Sequence, residues 1–363
     1  MQSRTSPRYA MYLAVLPSYR DACVQVLRSR FGNQLELIVS DSHLDRSVKT
    51  GISSTDYRRA RMIRFGQLAF LQVGHWRAAL SSDALIVDLN PRSVTAWALL
   101  LMRRPSRRKR TIVWGHLFPR SGAEAPTSVL RRFMRRLADG TLSYTHRDRT
   151  AALAELPDQP VWVAANALYK KDSIRAATSI GARTNLLYVG RFEPAKHVDR
   201  LVRAMPQLLA SHEDARLVLI GDGRDRYKLE SLASSLGVAE SVDFPGWIND
   251  PSLLAEHYAR AFASASPGFA GLGLTQSLGF GVPMIVSRNE LHSPEIELEE
   301  TGFVYWFDAA TEADTSLASV ATKAWARSSE LPATAVTNYV RDTYSAEAMA
   351  DGIISAFNGP DTK

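Results

Sequence analysis

A single cysteine, Cys23, is the only thiol in this 363-residue chain. No intrachain disulfide and no cysteine-based zinc site can form, and such a composition suits a reducing compartment. Long apolar runs are missing as well. The longest near the N-terminus, Ala10 to Pro17, is too short to span a bilayer, and Ser18-Tyr19-Arg20 follows it where a leader peptide would place small residues. It reads as the first strand of the fold. Low-complexity tracts, zinc-finger spacings, recognition helices and RNA-binding aromatic motifs are also lacking, so nucleic acid is not an expected partner. The expected location is cytoplasmic.

Acidic residues are scarce in one half only. Residues 1–165 carry 26 Lys and Arg against 12 Asp and Glu, about +14, whereas the remainder carries 18 against 25, about −7. The halves are electrostatically different bodies. Part of the excess lies in Arg103-Arg104-Pro105-Ser106-Arg107-Arg108-Lys109-Arg110, and part in Arg131, Arg132, Arg135 and Arg136. The last four stand at helical spacing around Leu130, Phe133, Met134 and Leu137, which makes a basic amphipathic helix able to lie on an anionic bilayer. The bland alternative is a helix docked on its own sheet with a solvated basic face. The expectation drawn from these clusters is peripheral contact with the inner face of a membrane.

What the chain has in quantity is apolar strands alternating with helical patterns. In the first half these run Tyr12–Leu16, a helix from 19 to 31, Leu35–Val39, a helix around 57–79, Ala84–Val87, a helix around 94–102, and Thr111–Trp114. The basic helix near 126–138, Gly140–Tyr144 and Val161–Val163 follow. In the second half the strands are Asn185–Val189, Leu217–Ile220, Ser241–Phe244, Ala261–Ala265, Val282–Val286 and Phe303–Phe307. Alternation of this kind predicts parallel βαβ units. The expected class is α/β, with two Rossmann-like doubly wound domains facing across a cleft. The boundaries read as a basic domain over 1–168, a linker over 169–183, a second domain over 184–331, and terminal helices over 332–363 that cross back to the first.

The most telling segment is Val189-Gly190-Arg191-Phe192-Glu193-Pro194-Ala195-Lys196. It sets two cations five residues apart beyond a buried strand, at a strand-to-helix crevice where open α/β sheets bind ligands. An arginine fork, a lysine point charge and free helix N–H groups together suit a diphosphate. Gly221-Asp222-Gly223 and Gly246 end strands on the same edge, and glycine there lets backbone approach a flat base or sugar closely. Trp247 is an aromatic able to lie beside a nucleobase.

Other motifs follow in order: Leu217 to Gly223, Val242 to Trp247, Ala263 to Pro267, Gly271-Leu272-Gly273-Leu274, Gly281 to Val286, and Pro294-Glu295 before Thr301-Gly302-Phe303. In this order and spacing the second half resembles the C-terminal domain of glycosyltransferase family four. The resemblance implies the GT-B fold, a nucleoside diphosphate sugar donor based on UDP or GDP, retention of configuration, and no metal or other cofactor. It implies transfer of a hexose to a saccharide or lipid-linked saccharide, as in cell-surface polysaccharide or glycolipid assembly. Arg191 and Lys196 are then the cations on the leaving diphosphate, and Gly190, Gly221, Asp222, Gly223, Gly246, Trp247, Gly271, Leu272, Gly273, Gln276 and Glu295 the donor pocket. In the first half, Trp114-Gly115-His116 resembles the family's strand-end histidine, and Asn166 its asparagine near the hinge. Pro17-Ser18-Tyr19-Arg20 stands where the first loop approaches donor and acceptor.

Departures from the family pattern are specific. Counted back from Gly281, the places of two family glutamates eight apart are held by Gly268 and Gln276, and no Gly pair occupies the first loop. Gln276 can still hydrogen-bond a ribose diol. A nucleotide-sugar epimerase and a non-catalytic nucleotide-sugar binding protein are the alternative readings.

Overall fold

The computed structural model describes residues 9–44, 49–106, 108–119, 122–178, 181–310 and 313–360. The chain divides into two units, one comprising 1–170 with 345–363 and the other 171–344.

The strands of the first unit are β1 (Tyr9–Leu13), β2 (Leu35–Val39), β3 (Arg58–Arg59), β4 (Arg61–Phe65), β5 (Ala69–Val73), β6 (Ala84–Asp88), β7 (Arg110–Trp114), β8 (Gly140–Ser143) and β9 (Val161–Val163). Seven of them form a parallel sheet in the order β3-β2-β1-β6-β7-β8-β9. Their helices are α1 (Asp21–Phe31), α2 (Trp76–Ser81), α3 (Val94–Arg103), α4 (Pro126–Leu137) and α5 (His146–Glu155). Both faces of the sheet are covered, so alternate residues of each strand enter different cores. Met11 and Ile86 enter one, and Tyr12, Leu85 and Val87 the other.

The second unit contains β10 (Asn185–Val189), β11 (Arg216–Ile220), β12 (Val242–Gly246), β13 (Ala261–Ser266), β14 (Met284–Ser287) and β15 (Val304–Phe307), all parallel in the order β12-β11-β10-β13-β14-β15. Helices α6 (Asp199–Ser211), α7 (Arg226–Ser235), α8 (Pro251–Ala259), α9 (Leu272–Gly279), α10 (Ala313–Ala326) and α11 (Thr334–Thr343) belong to it. The last helix, α12 (Ala346–Asn358), returns to the first unit. Local signals account for several ends: Asp250 accepts from the Ser252 amide at 2.8 Å with Pro251 at the first helical position, and Gly237 follows α7 with φ of 68°.

Three expectations need correction. The segment 57–79 forms β3, an antiparallel hairpin of β4 and β5, and only then a short helix; Arg61 to Phe65 alternate in exposure with the period of a strand. Residues 171–183 are part of the second unit, where Ala177 donates to the Phe280 carbonyl and the buried Arg183 donates to the carbonyls of Tyr258 and Ala261. The terminal helices also separate: α11 stays with α9, whereas α12 packs on α1 and β9. Met349, Ile353 and Phe357 of α12 complete a core begun by Met11, Val24 and Leu37.

Candidate functional site

In the second sheet the connections reverse direction beside β10, since β11 lies on one flank and β13 on the other. The carboxyl end of β10 is therefore the switch point at which an open α/β sheet leaves a crevice. Gly190 and Arg191 sit there. The loop is stitched to its neighbour: Gly190 donates to the Ile220 carbonyl at 2.9 Å, Phe192 to Asp222 at 2.9 Å, and Gly221 to Gly246 at 2.9 Å. Gly221 has φ of 143°, and any Cβ on it would drive into the carbonyl oxygen of Gly190. Gly190, Gly221, Asp222, Gly223 and Gly246 thus share one edge, as the sequence implied.

A short turn over Pro194–Lys196 carries the second cation. Lys196 Nζ donates to the Phe269 carbonyl at 2.8 Å and stands 4.9 Å from the centre of the Phe269 ring. Burial, and next the charge of Arg191, hold its ammonium below the ordinary lysine range. Arg191 itself is exposed. The Lys196 ammonium is thus disfavoured by burial and by a neighbouring like charge, an arrangement that a bound anion would relieve. Helix α9 begins just beyond, its N-terminus at Gly271 without a side-chain cap, so its first amides remain available with Leu272 and Gly273 in the opening turn.

Gly268 shows why one family glutamate has no counterpart here. A Cβ at this position would strike the carbonyl oxygen of Ala195 and the backbone of Lys196. The turn bearing Lys196 fills that space. Arg200 adds a bond to the Pro267 carbonyl at 3.1 Å, which clamps the same two loops from the side.

The remaining predicted donor residues are placed differently. Gln276 is buried, and its Oε1 accepts from the Tyr258 hydroxyl at 3.3 Å. Glu295 is also buried and accepts from the Ser293 hydroxyl. Trp247 is half-exposed, and its indole N–H donates to Asn249 at 2.6 Å. His292 is a bridge: the Ala270 amide donates to its Nδ1 at 3.1 Å and its Nε2 lies 2.7 Å from the Ser287 carbonyl, so the ring carries its proton on Nε2.

In the first unit the switch point lies between β1 and β6. Arg20, from the turn that follows β1, is buried; one Nη donates to the Tyr144 hydroxyl at 2.9 Å and to Asn166 Oδ1 at 3.2 Å. Its guanidinium lies 4.4 Å from the centre of the Trp114 ring. His116 is exposed, with its ring 4.9 Å from that of Tyr144. Pro17, Ser18 and Tyr19 lead into the same turn, and Tyr19 lies 5.6 Å from the Arg20 charge. Sequence reasoning missed two members, Asp88 at the end of β6 and Tyr144 after β8. Asp88 Oδ2 accepts from the Ala14 amide at 2.6 Å, and burial pushes its carboxyl up to about 7 while Arg20 pulls the other way.

Several cations expected to face a membrane turn out to be internal. Arg103 is buried and bonds to Thr111, the Ala79 carbonyl and the Arg110 carbonyl. Arg110 caps α12 through the carbonyls of Phe357 and Asn358. Arg135 is fully buried against Glu155 at 2.6 Å and the Ala152 carbonyl, and Arg131 holds the carbonyls of Leu89 and His116. The apolar face of α4 is split too: Met134 packs inward, while Val129, Leu130 and Phe133 are 65%, 45% and 52% exposed. Arg107 lies outside the described residues.

Residues 170–324 match the family described as glycosyl transferases group 1. A GDP-mannose-dependent alpha-(1-6)-phosphatidylinositol dimannoside mannosyltransferase of Mycobacterium tuberculosis is 38% identical over 106 residues, 28% of this chain and 27% of that one. A monomannoside mannosyltransferase of the same organism, also named as GDP-mannose-dependent, is 29% identical over 198 residues, 48% and 51% of the two chains. This chain thus spans between about a quarter and a half of the length of these relatives. Among solved structures, the lipopolysaccharide outer core galactosyltransferase WaaB is similar over 96% of this chain and 99% of its own, with a TM-score of 0.62 and 15% identity. Anabaena HepE in complex with UDP matches over 96% and 98%, with a TM-score of 0.60 and 12% identity. At these identities the likeness establishes the fold, two Rossmann-like units of the GT-B type.

Proposed function

We propose that this chain, whose C-terminal unit is a group 1 glycosyl transferase domain, is a retaining hexosyltransferase that draws on a nucleoside diphosphate sugar. One observation carries the reading: Arg191 and Lys196 stand together at the switch point of the second sheet, beside the uncapped start of α9. As the bond from the anomeric carbon to the phosphate oxygen breaks, negative charge grows on the diphosphate. Preplaced cations and amides stabilise that charge more than they stabilise the ground state. Side chains and backbone supply this field, so the proposed reaction needs no metal. Retention follows, in the family's manner, from displacement on one face: the leaving phosphate oxygen takes the proton of the acceptor hydroxyl as the new glycosidic bond forms.

GDP-mannose is the donor we propose to test first, on the strength of the relatives named for it. The proposed acceptor is a saccharide or lipid-linked saccharide of the cell surface. Peripheral membrane contact belongs to the same proposal: Val129, Leu130 and Phe133 of α4 and Leu101 and Met102 of α3 are exposed apolar groups among the exposed Arg104, Arg108, Arg132 and Arg136.

A thermal-shift panel of GDP, UDP and their hexose derivatives tests the donor site, since a ligand that binds only the folded state raises its melting temperature. Labelled GDP-mannose with lipid extracts then tests transfer. No stabilisation by any nucleotide sugar would remove the reading.

A further inference from the structure

The start of α9 is held by the segment that follows β14. His292 Nδ1 accepts from the Ala270 amide at 3.1 Å and the Ser293 amide donates to the Ala270 carbonyl at 3.0 Å, so both backbone groups of the residue before Gly271 are gripped. Ser293 Oγ crowds the same point, since a Cβ on Gly271 would stand 3.2 Å from it. Directly after Ser293 comes a tight helical turn, Pro294–Thr301, which buries two carboxylates, Glu295 and Glu297. The Ser293 hydroxyl donates to the first, and the Tyr344 hydroxyl donates to the second at 2.6 Å. Burial, and next the Glu297 charge, hold the Tyr344 phenol above its ordinary range, so the proton stays on the tyrosine. A hydroxyl bonded to a carboxylate in this way makes a short, strong bond, and a buried carboxylate that loses a donor is costly. An apolar pair would fill the same space without desolvating a charge, so packing alone does not account for Tyr344 and Glu297. Tyr344 is also the last residue of the second unit. Its amide donates to the Val340 carbonyl of α11 at 2.7 Å, whereas two residues on the Ala346 amide donates to Tyr169 within the first unit.

Resting on the transferase reading above, we propose that Tyr344 is a positioning residue for the donor diphosphate. Through Glu297 it fixes the turn over 294–301, the turn fixes His292 and Ser293, and these two aim the first amides of α9 by their grip on Ala270. Every link in this path is a hydrogen bond or a few residues of one tight turn within the second unit. The aim of the amides is thus set at the residue where the chain leaves that unit.

The test uses the full chain, with GDP and UDP as probes in calorimetric titrations and amide hydrogen exchange measured residue by residue without nucleotide. Tyr344→Phe keeps the ring and removes one hydroxyl. Its affinity for the nucleotide that binds the parent should fall by about fivefold or more, the scale of one lost hydrogen bond. Its Ala270 and Ser293 amides should exchange about fivefold faster or more, while those of β11 stay within about twofold of the parent. Glu297→Gln still accepts from the hydroxyl and should retain more affinity than Tyr344→Phe. Tyr344→Phe combined with Glu297→Leu removes the buried charge together with its donor, and carries the test where the single variant does not fold. The double variant should melt no lower than Tyr344→Phe and still show the lost affinity, which a purely structural role would not produce. Recovery of parental affinity in the double variant, or unchanged exchange at Ala270 and Ser293 in Tyr344→Phe, overturns the proposal. Failure of both nucleotides to bind the parent overturns the transferase reading instead, and the exchange rates still decide whether Tyr344 holds the start of α9.

Discussion

Lys196 reaches across from the turn after β10 to the carbonyl oxygen of Phe269, 2.8 Å away, and so joins the two loops of the proposed anion site. Arg191, by contrast, is exposed. The two cations should therefore respond differently to removal.

Arg191→Ala is expected to lower turnover by about a hundredfold or more, the scale of losing one transition-state donor, with no change in melting temperature. Lys196→Ala should cost at least as much turnover and also weaken nucleoside diphosphate binding, because the Phe269 loop loses its tether. Steady-state kinetics with calorimetric titration of the nucleotide separate the two effects.

Restoring a family glutamate should fail. In Gly268→Glu, and already in Gly268→Ala, the new Cβ meets the Ala195 carbonyl and the Lys196 backbone. Overpacking of this kind typically costs about 1–3 kcal/mol. Denaturant melts should show that loss together with reduced activity; a gain in activity from the glutamate would contradict the packing described.

Asp88 gives stability a pH dependence whose sign is fixed. Its carboxyl lies at about 7 in the folded chain and near 3.9 when unfolded, so the folded state holds the proton more tightly between these values. Burial raises it, and the Ala14 amide and the Arg20 charge act against that rise. Its contribution is greatest below about pH 4, falls as pH rises, and is spent above about pH 7. Asp88→Asn should remove that slope and melt higher than the parent at pH 8, by a difference on the order of a few kcal/mol, while the two converge at acidic pH. Thermal melts across pH 5 to 8 provide the check.

If α4 forms the proposed membrane surface, Phe133→Ser with Leu130→Ser should reduce flotation with anionic vesicles severalfold, and high salt should reduce flotation of the parent. Arg135→Ala should leave vesicle binding of any folded protein intact and instead destabilise it, since Glu155 would lose its buried partner. Salt-insensitive flotation would count against an electrostatic component.

The glycine-lined edge of the second sheet is legible because each of its parts is local. A buried parallel strand reads as a continuous apolar run, the glycine after it marks the turn, and the cations follow within a few residues, as at Leu186 to Lys196. Asp250-Pro251 announced α8 for the same reason. Asp88 was hidden because its meaning depends on β6 lying beside β1, a fact of sheet order that alternation alone does not give. Arg135 looked like a solvated helix charge because its partner, Glu155, stands on another helix. The β4–β5 hairpin reads as helix in the sequence because Met62, Ile63 and Phe65 mix the two periods, and the pairing of β4 with β5 decides between them.

The position of α12 bears on how the chain is made. A ribosome delivers β1 to β9 first, but the cavity beneath them is filled by Met349, Ile353 and Phe357, and the helix is latched there by Arg110 at its last carbonyls. The first unit must wait, with an open flank, until the whole of the other unit has emerged. Any truncation upstream of Ala346 would leave that flank permanently bare, a substrate for chaperones and proteases.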